Sequence, residues 1–135
     1  MAQWLVKSEP SIYSWQRLVE DKHACWDGVR NPQARNNLAA MKIGDEVLLY
    51  HSGDDKAVVG IASVSKTAYP DPTAGDPRWL CVDLVPVRAL TTPVPLAKIK
   101  THPSLTNSAL VCQSRLSVMP LTSGEFRTIV ALGEV

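Results

Sequence analysis

The segment from Glu46 to Ser65 constrains the fold of this chain more than any other. Glu46-Val47-Leu48-Leu49-Tyr50-His51 is rich in β-formers, Gly53-Asp54-Asp55 supplies a turn, and the run Ala57 to Ser65 returns with Val58, Val59, Ile61 and Val64. Two such runs around a Gly/Asp turn predict an antiparallel hairpin. Trp4-Leu5-Val6, stopped by Ser8-Glu9-Pro10, predicts a buried opening strand. Trp79 to Leu90 predicts another, with Leu80, Val82 and Leu84 alternating against Cys81, Asp83 and Val85. Arg115-Leu116-Ser117-Val118-Met119 is a further strand, and Trp26-Asp27-Gly28-Val29-Arg30 a brief strand or turn.

Helix signals fall between and after these runs. Ser11 can cap a helix carrying Ile12, Trp15, Leu18 and Val19 at helical spacing. Asn31-Pro32 starts a second, with Asn as cap and Pro where its missing N–H costs nothing, running to about Met41. Leu96 to Lys100 forms a helical turn, and Thr122 with Glu125 makes a capping box for a last helix ending near Gly133. Tyr69 to Pro77, with Pro70, Pro72 and Pro77, predicts a loop. Five or six strands joined by hairpins, with small helices outside them, predict a mixed α+β barrel rather than a doubly wound parallel sheet, and one domain over residues 1–135.

The charge balance limits the partners. With 14 Lys+Arg against 13 Asp+Glu, the net charge of +1 excludes a polybasic coat that holds nucleic acid by counterion release alone. Any such partner must be gripped at a local patch or pocket. Cys25, Cys81 and Cys112 form no C-x-x-C pair, so they predict buried thiols in a reducing, cytoplasmic setting rather than a zinc or disulfide framework. The first ten residues show no signal-peptide pattern, and no apolar run is long enough to span a bilayer. No membrane association is expected, and nothing names a protein partner.

Catalytic templates are missing. There is no G-x-G-x-x-G, P-loop, H-E-x-x-H or G-x-S-x-G, and His23, His51 and His102 lie far apart without carboxylates at metal-site spacing. Neither a metal nor a cofactor is called for. Asp54-Asp55 falls in the hairpin turn, where solvation explains it. The informative pattern is polar residues beside aromatic ones at strand ends: Lys7-Ser8-Glu9, Trp26-Asp27-Gly28, Tyr50-His51-Ser52 and Gln113-Ser114-Arg115. A flat aromatic face with convergent donors and acceptors suits a nucleobase, which offers a π-face and a polar edge. Trp4 and Trp15 are read as core, Trp26 as pocket lining, and Tyr69 as a lid aromatic.

These residues carry a family likeness. Trp4-Leu5-Val6-Lys7-Ser8-Glu9-Pro10, Trp26-Asp27-Gly28-Val29-Arg30-Asn31, Gly44-Asp45-Glu46 through Tyr50-His51-Ser52, Gly60-Ile61-Ala62, Ala68-Tyr69-Pro70-Asp71-Pro72-Thr73 and Ser114-Arg115-Leu116-Ser117-Val118 together resemble the EVE domain over nearly the whole chain. The resemblance implies a PUA-like fold, a twisted, mostly antiparallel β-barrel with flanking short helices, and a reader of modified bases, with modified cytosine in DNA the implicated ligand. The related YTH domains, which hold a methylated adenine in an aromatic cage, have a Lys-Ser after the first strand and a cage Trp before the second helix. Lys7, Ser8 and Trp26 match those positions, and Tyr69 is the nearest counterpart of the opposite cage wall.

The expected ligand is therefore a modified base in DNA or RNA. It stacks on Trp26, its edge is met by Lys7, Ser8, Asn31, His51, Ser52 and Ser114, with Tyr69 as the opposing aromatic, and its phosphates are met by Lys7, Arg30, Arg35 and Arg115. Two other classes stay open: an enzyme acting on a small nucleotide-like molecule, and a protein-interaction module. With so little net charge the logarithmic salt slope for duplex DNA should be shallow, about −2 to −4 if three or four cations touch phosphate. Titration of one modified duplex from low to high salt checks this, and a slope near about −8 would mean that backbone contacts supply the affinity.

Overall fold

Trp4–Val6 forms the middle of strand β1 (Gln3–Ser8) in the computed structural model, which describes residues 2–134. β1 pairs in parallel with β3 (Glu46–His51) and antiparallel with β6 (Val118–Leu121). Strands on both sides, and packing on both faces, explain why Trp4, Leu5 and Val6 are apolar in succession rather than alternating. A parallel pair needs a long crossover. Here it carries α1 (Trp15–Asp21), β2 (Ala24–Trp26) and α2 (Pro32–Ala40). β3 then turns through Gly53, at φ 74°, into β4 (Ala57–Pro70), as the hairpin signal predicts. β5 (Leu80–Pro95) runs antiparallel to β4, and β2 pairs with β5. The chain ends through α3 (Leu96–Thr101), α4 (Ala109–Cys112), β6 and α5 (Ser123–Leu132).

The α+β class and the mostly antiparallel pairing match the expectation; closure into a barrel does not. The sheet has the order β2-β5-β4-β3-β1-β6, with β2 and β6 at its edges. Those edge strands are three and four residues long, so they offer few ladder bonds. Helix α2 packs against β6, β5 and β4 together, and so covers the space between the two ends of the sheet where strand pairing would otherwise close it.

Several boundaries move, each for a local reason. The first helix starts not at Ser11 but after Ser14, whose hydroxyl accepts the Arg17 N–H at 3.1 Å. Before it, the Glu9 carbonyl accepts the N–H groups of both Ile12 and Tyr13, making a turn that excludes them from the helix. Leu18 is the buried residue of α1, whereas Ile12 and Val19 are exposed. Tyr69 and Pro70 lie in β4, opposite Cys81 and Leu80, so the proline-rich loop is confined to residues 71–79. Pro86 is tolerated within β5 because it sits opposite Ala62, at a register shift. The strand expected at Arg115–Met119 lies instead at Val118–Leu121; Pro120 fits there because β6 is an edge strand. The Asn31-Pro32 start and the Thr122–Glu125 capping box form as read.

Trp4, Leu5, Val47, Leu48, Leu84 and Ile129 belong to one contiguous buried cluster. The Trp4 indole N–H donates at 2.9 Å to Asp45, a buried carboxylate that also accepts the N–H of Lys42. No helix among the described residues is long and apolar enough to cross a membrane. Helix α1 meets the sheet where Gly60 faces the Trp15 ring: a Cβ at Gly60 would lie 2.6 Å from that ring. Gly60→Ala should therefore destabilise the protein by about 1–3 kcal/mol through overpacking, read as a lower urea midpoint with an unchanged m-value.

Candidate functional site

The register of β1 delivers Lys7 and Ser8 to the C-terminal end of the strand, next to the 9–14 turn. β2 ends at Trp26, and the segment 27–31 leads from it into α2. These pieces enclose a pocket of about 390 Å³, lined by Lys7, Ser8, Tyr13, Trp26, Asp27 and Asn31 among others. Trp26 is only 8% exposed, so it belongs to the core and also forms a pocket wall. The Tyr13 ring stands edge-on to it, with centroids 6.0 Å apart and planes at 87°. Two aromatic walls at right angles leave room for a flat ligand against one face and its rim against the other.

The polar atoms on this wall are partly committed, which sets what each still offers. The Ser8 hydroxyl donates to the Tyr13 carbonyl at 2.6 Å, so it faces a ligand as an acceptor. Asn31 Oδ1 accepts the Ala34 N–H at 3.0 Å as the cap of α2, which leaves its Nδ2 as a donor. Lys7 Nζ donates to the Ser114 carbonyl at 2.8 Å and sits 5.5 Å from the Tyr50 ring centroid. Burial lowers its pKa from the ordinary lysine value. Asp27 adds an exposed carboxylate. The inventory is two acceptors and two donors beside two aromatic rings.

Asp71 holds the far wall in place. Its carboxylate accepts the Gly28 N–H at 2.8 Å, Arg30 Nη1 at 2.9 Å, the Thr73 N–H at 2.7 Å and the Thr73 hydroxyl at 2.6 Å. Gly28 is at φ 78°, a left-handed conformation that lets its N–H turn toward the carboxylate. Burial alone would raise the Asp71 pKa, but the bonds from Thr73, Gly28 and Arg30 outweigh it and hold the carboxyl well below the usual range. Arg30 is fixed further by a bond to Thr73 Oγ1 at 3.2 Å.

The other expected residues lie elsewhere. Ser52 and Ser114 line a second cleft of about 500 Å³, which shares Lys7 with the first pocket. His51 reaches neither: its Nε2 accepts the Trp15 N–H at 3.0 Å at the start of α1, and its Nδ1 donates to Asp55 at 3.1 Å. That pairing also gives the turn residue Asp55 a partner. Tyr69 does not line the pocket but stands behind its wall, its hydroxyl donating to Asp83 at 2.5 Å and lying 3.1 Å from Sγ of the lining residue Cys25, with Lys66 over its ring. The Asp83 and Cys25 contacts raise its pKa above the usual tyrosine value. Arg35 lies over the Trp79 ring at 5.7 Å, and Arg115 is exposed beside Asn31 and Gln33.

Among the thiols, Cys81 is buried and Cys25 half-buried, 3.2 Å apart between their sulfurs, but Cys112 is exposed, against the expectation for all three. Its place at the end of the short α4, beyond the core, accounts for this. Tyr13 and Ile12 are pocket residues that sequence reasoning missed because it assigned them to a helix. The available signal was Ser14, a second possible cap three residues before Arg17. Ala24, Cys25, Asp27, Gly28, Val29 and Ser117 also line the pocket without having been named as site residues.

Residues 2–132 match the EVE domain family. Human thymocyte nuclear protein 1 is 35% identical over 98% of this chain and 74% of that protein. The crystal structure of the human THYN1 protein in complex with 5-methylcytosine-containing DNA is similar at 34% identity and a TM-score of 0.93, covering 100% of this chain and 99% of that one. The crystal structure of Atu2648 from Agrobacterium tumefaciens is 43% identical at a TM-score of 0.96, covering 100% and 94%. The YTH domain of Zygosaccharomyces rouxii MRB1, at 13% identity and a TM-score of 0.62 over 99% and 87%, shares the fold.

Asp71→Asn should cost about 2–3 kcal/mol at pH 7, because the charge-assisted bonds from Arg30, Gly28 and Thr73 are weakened together. The depressed pKa means that this stability is fully present above the unfolded aspartate value of about 3.9 and is lost as the pH falls toward the folded value. Urea unfolding of both proteins at a series of pH values should show the gap between them shrinking below about pH 4.

Proposed function

This chain belongs to the EVE domain family, and on that footing we propose that it binds a modified nucleobase, a modified cytosine or similar base in DNA or RNA, in the pocket between Tyr13 and Trp26. The observation that carries the reading is the pocket itself: about 390 Å³, two rings at 87°, and donors and acceptors gathered on one rim. That volume falls within the ~300–1,000 Å³ typical of small-molecule sites. A flipped cytosine stacks on Trp26 and places its amino group on Ser8 Oγ or Asp27. Its ring nitrogen and carbonyl then meet Asn31 Nδ2 and Lys7 Nζ. Ile12, Ala24 and Val29 supply the apolar surface for a methyl substituent.

The reading is of binding rather than catalysis, and the engagement of the nearby nucleophiles supports that. Cys25, the thiol that lines the pocket, is met by Cys81 Sγ at 3.2 Å and by the Tyr69 hydroxyl at 3.1 Å. Burial leads the effects that raise the Cys81 pKa, to about 12, and both ring nitrogens of His51 are engaged outside the pocket. Three free cysteines among the described residues suit a reducing compartment, and we assign the protein to the cytoplasm on that ground.

Calorimetric titration with free nucleosides tests the proposal. 5-Methyldeoxycytidine should bind about fivefold more tightly than deoxycytidine, from burial of one methyl. Tyr13→Ala should weaken that binding by ~1–3 kcal/mol. Because Trp26 is part of the core, Trp26→Phe is the variant that tests its stacking without opening a large cavity. The nucleoside should be recovered unaltered by mass spectrometry; a modified product would favour an enzyme instead, and no binding of any modified nucleoside would end this reading.

A further inference from the structure

The second cleft is a distinct feature that the base pocket does not absorb. Its floor is apolar, with Tyr50, Pro95, Leu96 and Leu110, and its rim carries three lysines from three elements: Lys7 on β1, Lys56 before β4 and Lys100 on α3. Lys56 and α3 are tied together, since the Lys56 carbonyl accepts the Leu96 N–H at 2.7 Å. The tie coincides with a left-handed backbone at Lys56, φ 43°, a conformation that non-glycine residues rarely adopt and that concentrates at binding sites. None of the three ammonium groups has a carboxylate within ion-pair distance among the described residues. The one carboxylate lining the cleft, Asp55, is paired with His51. Glu9 stands nearby, against Gly53. A concave site with an apolar floor and unneutralised cations on its rim fits a ligand with a sugar or base at one end and a phosphate at the other.

We propose that this cleft receives the nucleotide adjoining the one whose base enters the Tyr13–Trp26 pocket, with its phosphate on Lys56 and Lys100 and its sugar on Tyr50, Leu96 and Leu110. The inference rests on the reader function proposed above, and Lys7, which lines both cavities, is the physical link. Adjoining nucleotides share a phosphodiester, so a cation between two cavities is placed to meet it. This assigns the backbone contact to Lys7 together with Lys56 and Lys100, which the sequence pattern passed over, and away from Arg30, whose guanidinium is held by Asp71 and Thr73.

The test compares wild type with Lys56→Asn/Lys100→Gln, asparagine being tolerated in the left-handed conformation. Three probes are titrated at several salt concentrations: 5-methyldeoxycytidine, a short single strand containing that base once, and thymidine monophosphate alone. The expected result is unchanged nucleoside affinity, a roughly five- to thirtyfold loss for the strand at low salt, and a salt slope shallower by about 1.4. Lys56→Arg/Lys100→Arg should retain strand binding, and equal thermal midpoints should show that all variants are folded. The inference is overturned if the double variant binds the strand like wild type with the same slope. It is also overturned if only thymidine monophosphate binding responds, which would mark a free-nucleotide site. If the nucleoside fails to bind wild type while strand affinity still depends on the two lysines, the phosphate cleft stands and the base-reader proposal falls.

Discussion

The buried carboxylate of Asp71 is the interaction on which the shape of the site depends. It sits just past the end of β4, yet it fixes the Gly28 N–H and the Arg30 guanidinium, which belong to the segment between β2 and α2. Without it, that segment would leave β2 with few partners, since β2 is a three-residue edge strand. A charged group in the interior is costly unless its lone pairs are met, and four donors meet them here. Its geometric consequence is a rigid wall opposite the 9–14 turn, and hence a pocket that is open before any ligand arrives. Preorganisation of this kind reduces the ordering cost of binding.

The second constraint is the parallel pairing of β1 with β3. It sets Lys7 beside Tyr50 and Ser8 beside His51, and so places one lysine at the boundary of two cavities. The crossover that a parallel pair requires supplies the first pocket, through the 9–14 turn, β2 and the start of α2. The turn after β3, together with α3, supplies the second. Both cavities thus meet at the C-terminal end of the same strand, where Lys7 lines each of them.

Charge and packing divide the work between them. A net charge of +1 gives little long-range attraction to a polyanion, so the affinity of this surface must come from contacts at short range. Trp26 and Tyr13 offer aromatic area that costs little side-chain entropy to order, since Trp26 is already buried and Tyr13 is tethered to Asp21 at 3.0 Å. Burial pushes the Tyr13 pKa up to about 12, and Asp21 adds to the effect, so this wall stays neutral across the physiological range.

The sequence by itself determined the elements whose signals are local. Asn31-Pro32 caps and starts α2, Thr122 and Glu125 close a capping box, and the Gly/Asp turn makes the β3–β4 hairpin. Backbone hydrogen bonds over three or four residues, or across a short turn, suffice for each. The EVE resemblance was legible for the same reason as Lys7, Ser8, Trp26 and Asn31: these residues sit at strand and helix ends set by local chemistry, and the tertiary structure gathers all four. What only the tertiary structure decided is where side chains point once segments far apart in sequence meet. Tyr13 faces Trp26 because a turn on Glu9 displaces it from the helix. His51 is drawn to the Trp15 N–H, Tyr69 to Asp83, and Ser52 and Ser114 to a separate cleft. Even the open sheet depends on α2 packing across its ends. Those outcomes turn on strand register and on competition among hydrogen-bond partners in space, neither of which residue type or spacing specifies.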